Sequence, residues 1–467
     1  MINQLRSLLG EKYVLTGTDT AQWSRDWIGG YAWQPMAVVR PANTHEVSQI
    51  VKLANANATP VVPVSGNTGL AGGTSAQNSI MISLDRMNEI REIRPEARVA
   101  IIEAGVILAK LHDATDALDL IFPLTFGARG AAMIGGCLST NAGGSNVLRY
   151  GNTRDLCLGL EVVLPNGEIM DIMSELHKDN SGYNLKHLMI GAEGTLGIIT
   201  AAVLKLSPKP GAYATAMVAV SSLDAALILL NRLQNATGGA VEAFEYMPRN
   251  YITEHLALSP IARAPFDQRY DVNILVEIGA TSPRDCTLDD NGQTPISANL
   301  EATLAEFFED GMVLDAVVAQ NEAQRSEMWE RREAAAEISI SKKPIVGSDI
   351  ALPLDKVATF LARIDARLPQ IDIGAESISV AHLGDGNIHY TVRPASHDPA
   401  VHDQIMEAVE EEALALGGSF SAEHGIGLSK KPSMARRKNP VSLQVMRAIK
   451  TALDPNNIMN PGKVIPD

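Results

Sequence analysis

The chain has 467 residues, of which 46 % are hydrophobic and 20 % charged. These proportions are typical of a folded globular protein, exclude a disordered or fibrous class, and at this length predict two or three domains. The formal net charge of -15 disfavours nucleic acid and anionic membrane surfaces as partners, because both would repel the chain.

Cysteine usage and the N-terminus predict the compartment. The three cysteines, Cys137, Cys157 and Cys286, form no C-x-x-C pair, which favours a reducing compartment. The opening "MINQLRSLLGEKYVLTG" has no apolar core followed by a cleavage site, and the uncharged stretches are rich in Gly, Ser, Thr and Asn. We therefore expect a cytoplasmic protein without a signal peptide or a membrane span.

Short strand-like runs alternate with helical ones over the first 200 residues. Strands are predicted within 36–41, 59–66 and 79–85, a helix at 44–57, and a strand followed by a helix at 98–118. This order predicts an α+β domain. The segment "LSPKPG" (206–211), with two prolines and a glycine, predicts a domain boundary.

The second half of the chain has a different order of elements. Strands are predicted at 212–221, near 241–246, at 271–279 and at 312–319, and helices at 223–234, 297–308 and 321–340. Strand-helix-strand units with antiparallel returns predict a ferredoxin-like second domain. A last helix at 440–455 ends at Pro455.

Three segments rich in glycine and small residues lie in the first half of the chain: "VSGNTGLAGGTS" (64–75), "IGGCLSTNAGGSNVLRYG" (134–151) and "GAEGTLGIIT" (191–200). Glycines can expose successive backbone N–H groups to a phosphate. The first segment is not a G-x-G-x-x-G fingerprint, and taken alone it reads equally well as a simple turn. Three such loops on one domain predict a cradle for a flavin dinucleotide, whose pyrophosphate needs donors and whose ring needs a dry slot.

Six motifs together resemble one family. They are "SGNTGLAGG", "GGCLSTNAGG" with "LRYGNTRD", "GAEGTLGIIT", "HLGDGNIH", "EHGIG" and the terminal "NPGK". The chain resembles flavoenzymes of the vanillyl-alcohol-oxidase type, in the D-lactate and D-2-hydroxyglutarate dehydrogenase branch. The resemblance implies an FAD-binding domain of the PCMH type with two α+β subdomains (1–207), a ferredoxin-like cap for substrate (208–419), and a C-terminal segment that returns to the FAD domain (420–467).

The resemblance also assigns positions to the cofactor. The pyrophosphate would lie on Ser65, Gly66, Asn67, Thr68, Gly69, Gly72 and Thr74. The ribityl chain and ring would lie along Gly135, Gly136, Ser139, Thr140, Asn141, Gly143 and Gly144. The adenosine side would meet Gly194, Ile198 and Ile199, and the isoalloxazine would meet Asn460. The first loop has no His or Cys that could tether a flavin, so we expect non-covalent FAD.

The segment "HLGDGNIH" (382–389) predicts a hairpin that carries two histidines. Asp385-Gly386 is a type I′ turn signal, and a two-residue turn pairs His382 with His389 on one face of the ribbon, with Cβ atoms about 5 Å apart. Two imidazoles at this distance can bind one metal ion. Two solvent-exposed hairpin histidines are the alternative.

A third ligand lies in "SAEHGIG" (421–427), where Glu423 precedes His424. Two histidines and one carboxylate match catalytic zinc sites that keep an open position, and they suit Mn²⁺ or Fe²⁺ nearly as well. The family resemblance implies the same set, with His382, His389 and Glu423 as metal ligands, His424 as catalytic base and Asn387 as a substrate contact.

These groups predict the oxidation of a 2-hydroxy acid. A divalent metal bound to the hydroxyl would lower its pKa, a histidine would take the proton, and the hydride would pass from C2 to flavin N5. The carboxylate of the substrate needs a guanidinium, and Arg332 in Trp329-x-x-Arg332 resembles the substrate arginine of the family. An ordinary solvated arginine on a charged helix is the alternative for Arg332.

Two positions depart from relatives specific for 2-hydroxyglutarate, which tend to have a hydroxyl residue and a lysine where this chain has Ala336 and Gly347. Candidate substrates are therefore D-lactate, D-2-hydroxyglutarate, D-malate and glycolate. We expect a small-molecule 2-hydroxy acid and an electron acceptor as partners, the latter an electron-transfer flavoprotein, a quinone or a cytochrome. A second copy of the chain, in a homodimer, is a further candidate partner. An oxidase that uses O₂ and a flavin-free metallohydrolase are the alternative functions.

Overall fold

The protein is described by a computed structural model for residues 1–27, 29–290 and 292–467. The strands are β1 (Val14–Leu15), β2 (Ala37–Val39), β3 (Val61–Val64), β4 (Ile80–Ser83), β5 (Ile90–Arg94), β6 (Val99–Glu103), β7 (Leu120–Ile121), β8 (Cys157–Val163), β9 (Ile169–Ile172), β10 (Ile198–Lys205), β11 (Ser207–Pro208), β12 (Ala212–Val220), β13 (Val241–Pro248), β14 (Val272–Ala280), β15 (Val313–Val318), β16 (Val346–Ala351), β17 (Glu376–His382) and β18 (Asn387–Arg393). The α-helices are α1 (Ile2–Leu9), α2 (Thr44–Ala56), α3 (Leu108–Asp116), α4 (Ile134–Thr140), α5 (Val147–Tyr150), α6 (Leu185–Met189), α7 (Leu223–Thr237), α8 (Arg249–Leu258), α9 (Pro283–Cys286), α10 (Pro295–Glu309), α11 (Glu322–Glu333), α12 (Ala335–Ile340), α13 (Val357–Ile371), α14 (Pro399–Ala415), α15 (Lys431–Arg437) and α16 (Pro440–Leu453).

The chain folds into two compact units, each built from separate stretches of sequence. Unit 1 comprises Met1–Gly143, Gly151–Pro208 and Glu423–Asp467. Unit 2 comprises Gly144–Tyr150 and Lys209–Ala422. None of the helices in the described ranges is long and apolar enough to cross a bilayer.

Unit 1 contains a four-stranded sheet in the order β1-β2-β4-β3, in which β4 runs parallel to β2 and β3. Helix α2 begins after Asn43, whose side chain accepts a hydrogen bond from Glu46 N, while the Glu46 carboxylate accepts one from Ala42 N. Val47 and Ile50 on its apolar side are fully buried in the core of this sheet. The strand-helix-strand order predicted for this region is confirmed.

A second sheet of unit 1 is antiparallel, in the order β5-β6-β10-β8-β9. The C-terminal segment of the chain pairs with the first sheet instead. Val61 N donates to Ile458 O at 2.8 Å, and Asn460 N donates to Val61 O at 2.8 Å. The end of the chain therefore lies beside β3, which leads directly into the first glycine-rich segment.

Unit 2 is built on a seven-stranded sheet in the order β15-β12-β14-β13-β17-β18-β16. The first four of these strands, with α7 and α10, have the strand-helix-strand-strand-helix-strand order that was predicted. Three further strands extend the sheet beyond a ferredoxin-like unit. The single helix predicted over 321–340 was wrong, because α11 ends at Glu333 and α12 begins at Ala335.

The two faces of this sheet pack against different helices. One face forms a large apolar core with α7, α10, α13 and α14. On the other face, Met247 and Leu275 pack against Tyr251 of α8 and Met328 of α11. Side chains two residues apart on a strand share a face, so Glu245 lies on the same face as Met247. This second face carries the histidines of the candidate site.

Candidate active site

The first glycine-rich segment follows β3 in unit 1 and forms no helix. Asn67 has a φ of 51°, its side-chain amide donates to Arg25 O at 2.9 Å, and its Oδ1 accepts from Thr74 Oγ1 at 2.8 Å. A Cβ on Gly66 would lie 2.1 Å from Ala131 O, so only glycine fits there. The segment is thus a tight loop held by its own side chains and by a close backbone neighbour.

The second segment corrects the sequence-based expectation of a loop, because residues 134–140 form helix α4. The loop was expected from the small residues alone, but Gly135 N donates to Ala104 O at 2.7 Å and brings the helix against β6. A Cβ on Gly135 would lie 3.2 Å from Ser65 Oγ, and one on Gly136 would lie 3.4 Å from Ser65 Cβ. The first two glycine-rich segments are therefore in contact.

At the end of this segment, the residues predicted to contact the cofactor are divided between unit 1 and unit 2. Thr140 Oγ1 donates to Gly136 O at 3.0 Å, and Asn141, with a φ of 52°, accepts from Arg154 N through Oδ1 at 3.0 Å. Gly143 ends the first stretch of unit 1, whereas Gly144 begins the 144–150 stretch of unit 2.

The third segment meets the other two through Glu193. Glu193 N donates to Ser139 O at 2.8 Å, and a Cβ on Gly73 of the first segment would lie 3.2 Å from Glu193 Oε2. A Cβ on Gly194 would lie 2.4 Å from Pro63 Cγ on β3. Ile198 and Ile199 lie on β10 and are buried. The three segments of unit 1 are therefore brought together, as the cradle interpretation requires.

Asn460 gives a test of whether a flavin fits this cradle. Its side-chain amide donates to Gly73 O at 3.0 Å and to Glu193 O at 2.7 Å, while its buried Oδ1 has no hydrogen-bond partner among the described residues. A buried acceptor without a donor costs about 1–3 kcal/mol. A flavin ring has an N–H that can satisfy such an acceptor, so the residues present fit FAD.

In unit 2, the hairpin of "HLGDGNIH" forms, but its predicted register and turn type were wrong. His382 pairs with Asn387 and Val380 pairs with His389, so the loop is the four residues 383–386. Only Gly386 of the two expected turn residues has a positive φ, of 82°. Gly386 N donates to His382 O at 3.1 Å, which closes the longer loop.

The two histidines nevertheless share one face of the ribbon. The register differs from the prediction by two residues, and a shift of two keeps every side chain on its face. The ring centroids of His382 and His389 are 5.4 Å apart with an interplanar angle of 80°. His382 is 7 % exposed, so the alternative of two solvent-exposed histidines is wrong for this residue.

Glu245 of β13 holds His382. Its Oε1 lies 2.9 Å and its Oε2 2.8 Å from His382 Nδ1. This contact favours the tautomer with the proton on Nδ1 and leaves Nε2 as the nitrogen with a lone pair for a metal. Burial acts to raise the pKa of Glu245, but the charges of His382 and Arg332 and their hydrogen bonds outweigh it and lower the pKa.

Arg332 is buried rather than solvated, which contradicts the alternative of an ordinary surface arginine. It is 7 % exposed, and its Nε donates to Glu245 Oε2 at 2.6 Å. Its Nη2 is 3.4 Å from both ring nitrogens of His382, which places it alongside the ring rather than against one lone pair. One guanidinium thus lies next to a candidate metal ligand, as a carboxylate-binding arginine should.

A second carboxylate, Asp349 of β16, lies beside His389. Asp349 Oδ1 is 3.6 Å from His389 Nδ1 and accepts from the side-chain amide of Asn387 at 2.9 Å. That amide also donates to Ile350 O, while the buried Asn387 Oδ1 has no hydrogen-bond partner in the described ranges. Asn387 therefore offers an acceptor to a ligand, not a donor.

Glu423 and His424 belong to unit 1, in the turn-rich segment that starts its last stretch. Ala422, the residue before them, is the last of unit 2, and its N donates to Asp349 O at 3.1 Å. His382 and His389 of the predicted metal set belong to unit 2, and Glu423 belongs to unit 1. The set itself stays a prediction.

Glu245 and Asp349 were not predicted from the sequence. Glu245 stands in the strand "VEAFEYMP", where a carboxylate between apolar neighbours was the available signal. Arg149 and Tyr150 were not predicted either. Arg149 Nη1 and Tyr150 OH donate to Glu242 Oε1 at 2.7 and 2.6 Å, which anchors the 144–150 stretch to β13.

Two family models match the chain. "FAD linked oxidases, C-terminal domain" matches residues 209–464, and "FAD binding domain" matches residues 35–173. The chain is 35 % identical over 474 residues to a probable D-2-hydroxyglutarate dehydrogenase, mitochondrial, of Oryza sativa subsp. indica, covering 100 % of this chain and 81 % of the relative. It is 34 % identical over 452 residues to D-2-hydroxyglutarate dehydrogenase of Xanthomonas citri pv. viticola, covering 96 % and 92 %.

Solved structures show a similar fold. p-Cresol methylhydroxylase with bound substrate has a TM-score of 0.75 at 18 % identity, over 100 % of this chain and 96 % of its own. An alkyldihydroxyacetonephosphate synthase has a TM-score of 0.72 at 15 % identity, over 98 % and 84 %. At these identities the likeness concerns the fold alone, and the predicted α+β fold of the PCMH type is confirmed.

Proposed function

Because the chain belongs to the family of FAD-linked oxidases, we propose that it oxidises a D-2-hydroxy acid to the 2-oxo acid with FAD and a divalent metal. Relatives named D-2-hydroxyglutarate dehydrogenase cover nearly the whole chain and supply the substrate class. The observation that carries the proposal is the buried cluster of Glu245, His382 and Arg332. In this cluster an imidazole that can bind a metal lies next to a guanidinium that can bind a carboxylate.

In this proposal the two halves of the chemistry come from different parts of the sequence. The FAD domain (1–207), together with the returning segment (420–467), holds the cofactor without a covalent bond, and the cap (208–419) holds the substrate. Zn or Mn binds His382, His389 and Glu423. When bound, FAD supplies a hydride acceptor and the metal supplies a Lewis acid that lowers the pKa of the substrate hydroxyl.

The residues of the chain then have separate tasks. Arg332 binds the substrate carboxylate through the guanidinium edge that Glu245 leaves open. His424 accepts the proton from the substrate hydroxyl, and Asn387 Oδ1 accepts a hydrogen bond from the substrate. Glu245 and Asp349 hold the imidazoles of His382 and His389 in one orientation.

The partners of the reaction are also part of the proposal. The electrons leave to an electron-transfer flavoprotein, a quinone or a cytochrome rather than to O₂. A homodimer and a cytoplasmic location remain predictions, and the relative from Oryza sativa subsp. indica is named mitochondrial.

The test is anaerobic bleaching of the flavin by a panel of D- and L-2-hydroxy acids, before and after chelation of metal. We expect bleaching by at least one D-acid and loss of bleaching in the metal-free protein. A protein that binds no FAD, or FAD that no D-acid reduces, would overturn the proposed function. Bleaching that survives complete metal removal would overturn the role of the metal alone.

A matched pair of variants tests the base. His424→Gln should slow flavin reduction by about 100- to 10,000-fold, the usual contribution of a positioned acid or base. His402→Gln is the control, because His402 lies on α14, outside the predicted site, and its Nε2 lies 2.8 Å from Ser396 O. Equal rates in the two variants would contradict the assignment of His424.

A further inference from the structure

Glu193 is a buried carboxylate in unit 1 that the proposed reaction does not use. It is 9 % exposed, and its two oxygens accept hydrogen bonds from successive backbone groups of the "EHGIG" motif. Oε1 accepts from Ile426 N at 2.7 Å, and Oε2 accepts from Gly427 N at 2.9 Å. Burial raises the pKa of Glu193, and these two N–H groups, with the charges of Lys430 and Lys463, act against that rise.

The backbone of Glu193 is also constrained, in a conformation that is unfavourable for a residue with a side chain. Its φ is 51°, in the left-handed region. Its N donates to Ser139 O at 2.8 Å, and its O accepts from the Asn460 side chain at 2.7 Å. A strained residue persists only where its surroundings hold it, and such residues concentrate at functional sites. Glu193 thus connects the second glycine-rich segment, the C-terminal "NPGK" segment and the turn after His424.

Glycines of two motifs leave room for this carboxylate. A Cβ on Gly425 would lie 2.7 Å from Glu193 Oε1, and one on Gly73 would lie 3.2 Å from Glu193 Oε2. Gly427 has a φ of 50°, and its Cβ would lie 2.1 Å from Ala71 O. Gly425 and the N–H groups of Ile426 and Gly427 in "EHGIG" therefore match a carboxylate that comes from "GAEGTLG", more than 200 residues earlier in the chain.

We propose that Glu193 is a positioning residue for the catalytic base: its carboxylate fixes the backbone at Ile426 and Gly427 and thereby sets the position of His424 relative to the glycine-rich segments that hold the flavin. The inference rests on the proposed function of His424. Only Gly425 separates His424 from Ile426, the first of the two residues that Glu193 binds. Because consecutive Cα atoms are about 3.8 Å apart, loss of the hydrogen bonds to Glu193 would displace His424 as well. Glu193 neither accepts the substrate proton nor touches the hydride.

The experiment compares Glu193→Gln with Glu103→Gln in the FAD-loaded full chain. The glutamine has the shape of the glutamate, but its NH₂ group would face one of the two N–H donors, so one bond is lost. Glu103 is a matched control, since it is also a buried carboxylate of unit 1 that accepts from a backbone group, Glu89 N at 3.1 Å, and it lies outside the motifs.

We expect anaerobic flavin reduction to slow by about 10- to 100-fold in Glu193→Gln, with KM changed much less than kcat, because a base displaced by a fraction of an ångström weakens only the chemical step. The pH profile of kcat should change in this variant alone. Amide hydrogen exchange over residues 424–428 should speed up in Glu193→Gln and stay unchanged in Glu103→Gln.

The outcomes separate this inference from the proposed function. Wild-type protein whose flavin no hydroxy acid reduces would overturn the proposed function, whereas wild-type activity together with a wild-type rate and pH profile in Glu193→Gln would overturn the positioning role. If Glu193→Gln does not fold, Glu193→Asp decides the matter. Aspartate keeps the charge but is one methylene too short for both bonds, so a wild-type rate in that variant would also refute the role.

Discussion

Glu245 Oε2 lies 2.8 Å from His382 Nδ1, and both residues are buried on the same face of the seven-stranded sheet. A carboxylate in this position fixes the orientation of an imidazole and raises its basicity towards a metal. Neither residue is near the other in sequence, so the pair exists only because β13 lies next to β17.

Glu245→Gln should therefore weaken metal binding by about 10- to 100-fold, the usual cost of losing the partner of a ligating histidine. The measurement is the metal retained per chain under competition with a soluble chelator. Glu242→Gln is the control, because Glu242 is a buried carboxylate of the same strand that binds Arg149 and Tyr150 instead of a histidine. Equal metal retention in both variants would contradict the role of Glu245.

Arg332→Met should affect both stability and substrate binding. It leaves Glu245 buried with one cation fewer, and breaking one side of a buried pair costs about 3–5 kcal/mol of the free energy of unfolding. The KM for the hydroxy acid should rise at least tenfold through loss of the carboxylate contact. Denaturant unfolding and steady-state kinetics measure the two effects.

Arg331→Met provides the control for Arg332. Arg331 is equally buried and adjacent, but it donates to Arg263 O. We expect Arg331→Met to lower the free energy of unfolding and to leave KM unchanged. A similar rise in KM for both variants would show that the effect comes from a disturbance of α11 and not from loss of the Arg332 guanidinium.

Gly347→Lys should shift the substrate preference towards dicarboxylates. Gly347 pairs with Thr391 on β18, two residues from the Asp349–His389 pair, and a Cβ placed on it meets no atom within 4 Å. A lysine there adds a cation next to the proposed substrate site. We expect the ratio of kcat/KM for D-2-hydroxyglutarate to that for D-lactate to rise roughly three- to tenfold, the size of a partly exposed ion pair. Gly347→Met is the control of matched length, and an equal rise in it would exclude a charge effect.

Lys463 should make the free energy of unfolding depend on pH in the alkaline range. Its side chain is buried, and burial lowers the pKa of Lys463 from its usual 10.5 to about 8. Because the folded state disfavours the charged form, the lysine is destabilising below pH 8, by at most about 3 kcal/mol, and this cost is relieved as the pH rises from about 8 to 10.5.

The comparison with Lys463→Met isolates this effect. The difference in free energy of unfolding between wild type and Lys463→Met should move in favour of the wild type between pH 8 and 10.5. Its Nζ donates to Ser75 O at 2.9 Å, so the variant also loses a hydrogen bond, but that loss adds an offset at every pH and leaves the direction of the change intact. A difference that is flat with pH would contradict the lowered pKa.

Local sequence signals predicted much of the fold. The α2 helix and the first strands of each unit carry caps and apolar runs that short windows reveal, and α2 begins and ends within one residue of the predicted limits. The hairpin register was missed because the strong Asp385-Gly386 signal suggested a two-residue turn. The actual loop is closed by a hydrogen bond from Gly386 N to His382 O, which no dipeptide rule describes.

The candidate site was predicted to the extent that its residues lie in motifs. The other site residues are brought in by long-range contacts: Glu245 contacts His382, 137 residues later in the chain, and Glu193 contacts Ile426, 233 residues later. No local pattern encodes such a pairing, since it depends on which strands become neighbours. Helix α4 was missed for the opposite reason, because its glycines predict a loop and only packing against Ala104 and Ser65 makes the helix favourable.

The way in which unit 1 is assembled also constrains how the chain can be made. Its first glycine-rich segment follows β3, and β3 is held by residues about 400 positions later, through the bond from Val61 N to Ile458 O. At a synthesis rate of about 5–20 residues per second, roughly 20–80 s pass before that partner leaves the ribosome. During this time β3, at the edge of the N-terminal sheet, lacks its pairing with the 458–460 segment. A chain that stops before Ile458 therefore has an unfinished cradle, and a premature stop codon just before this position should be as damaging as one in the middle of unit 2.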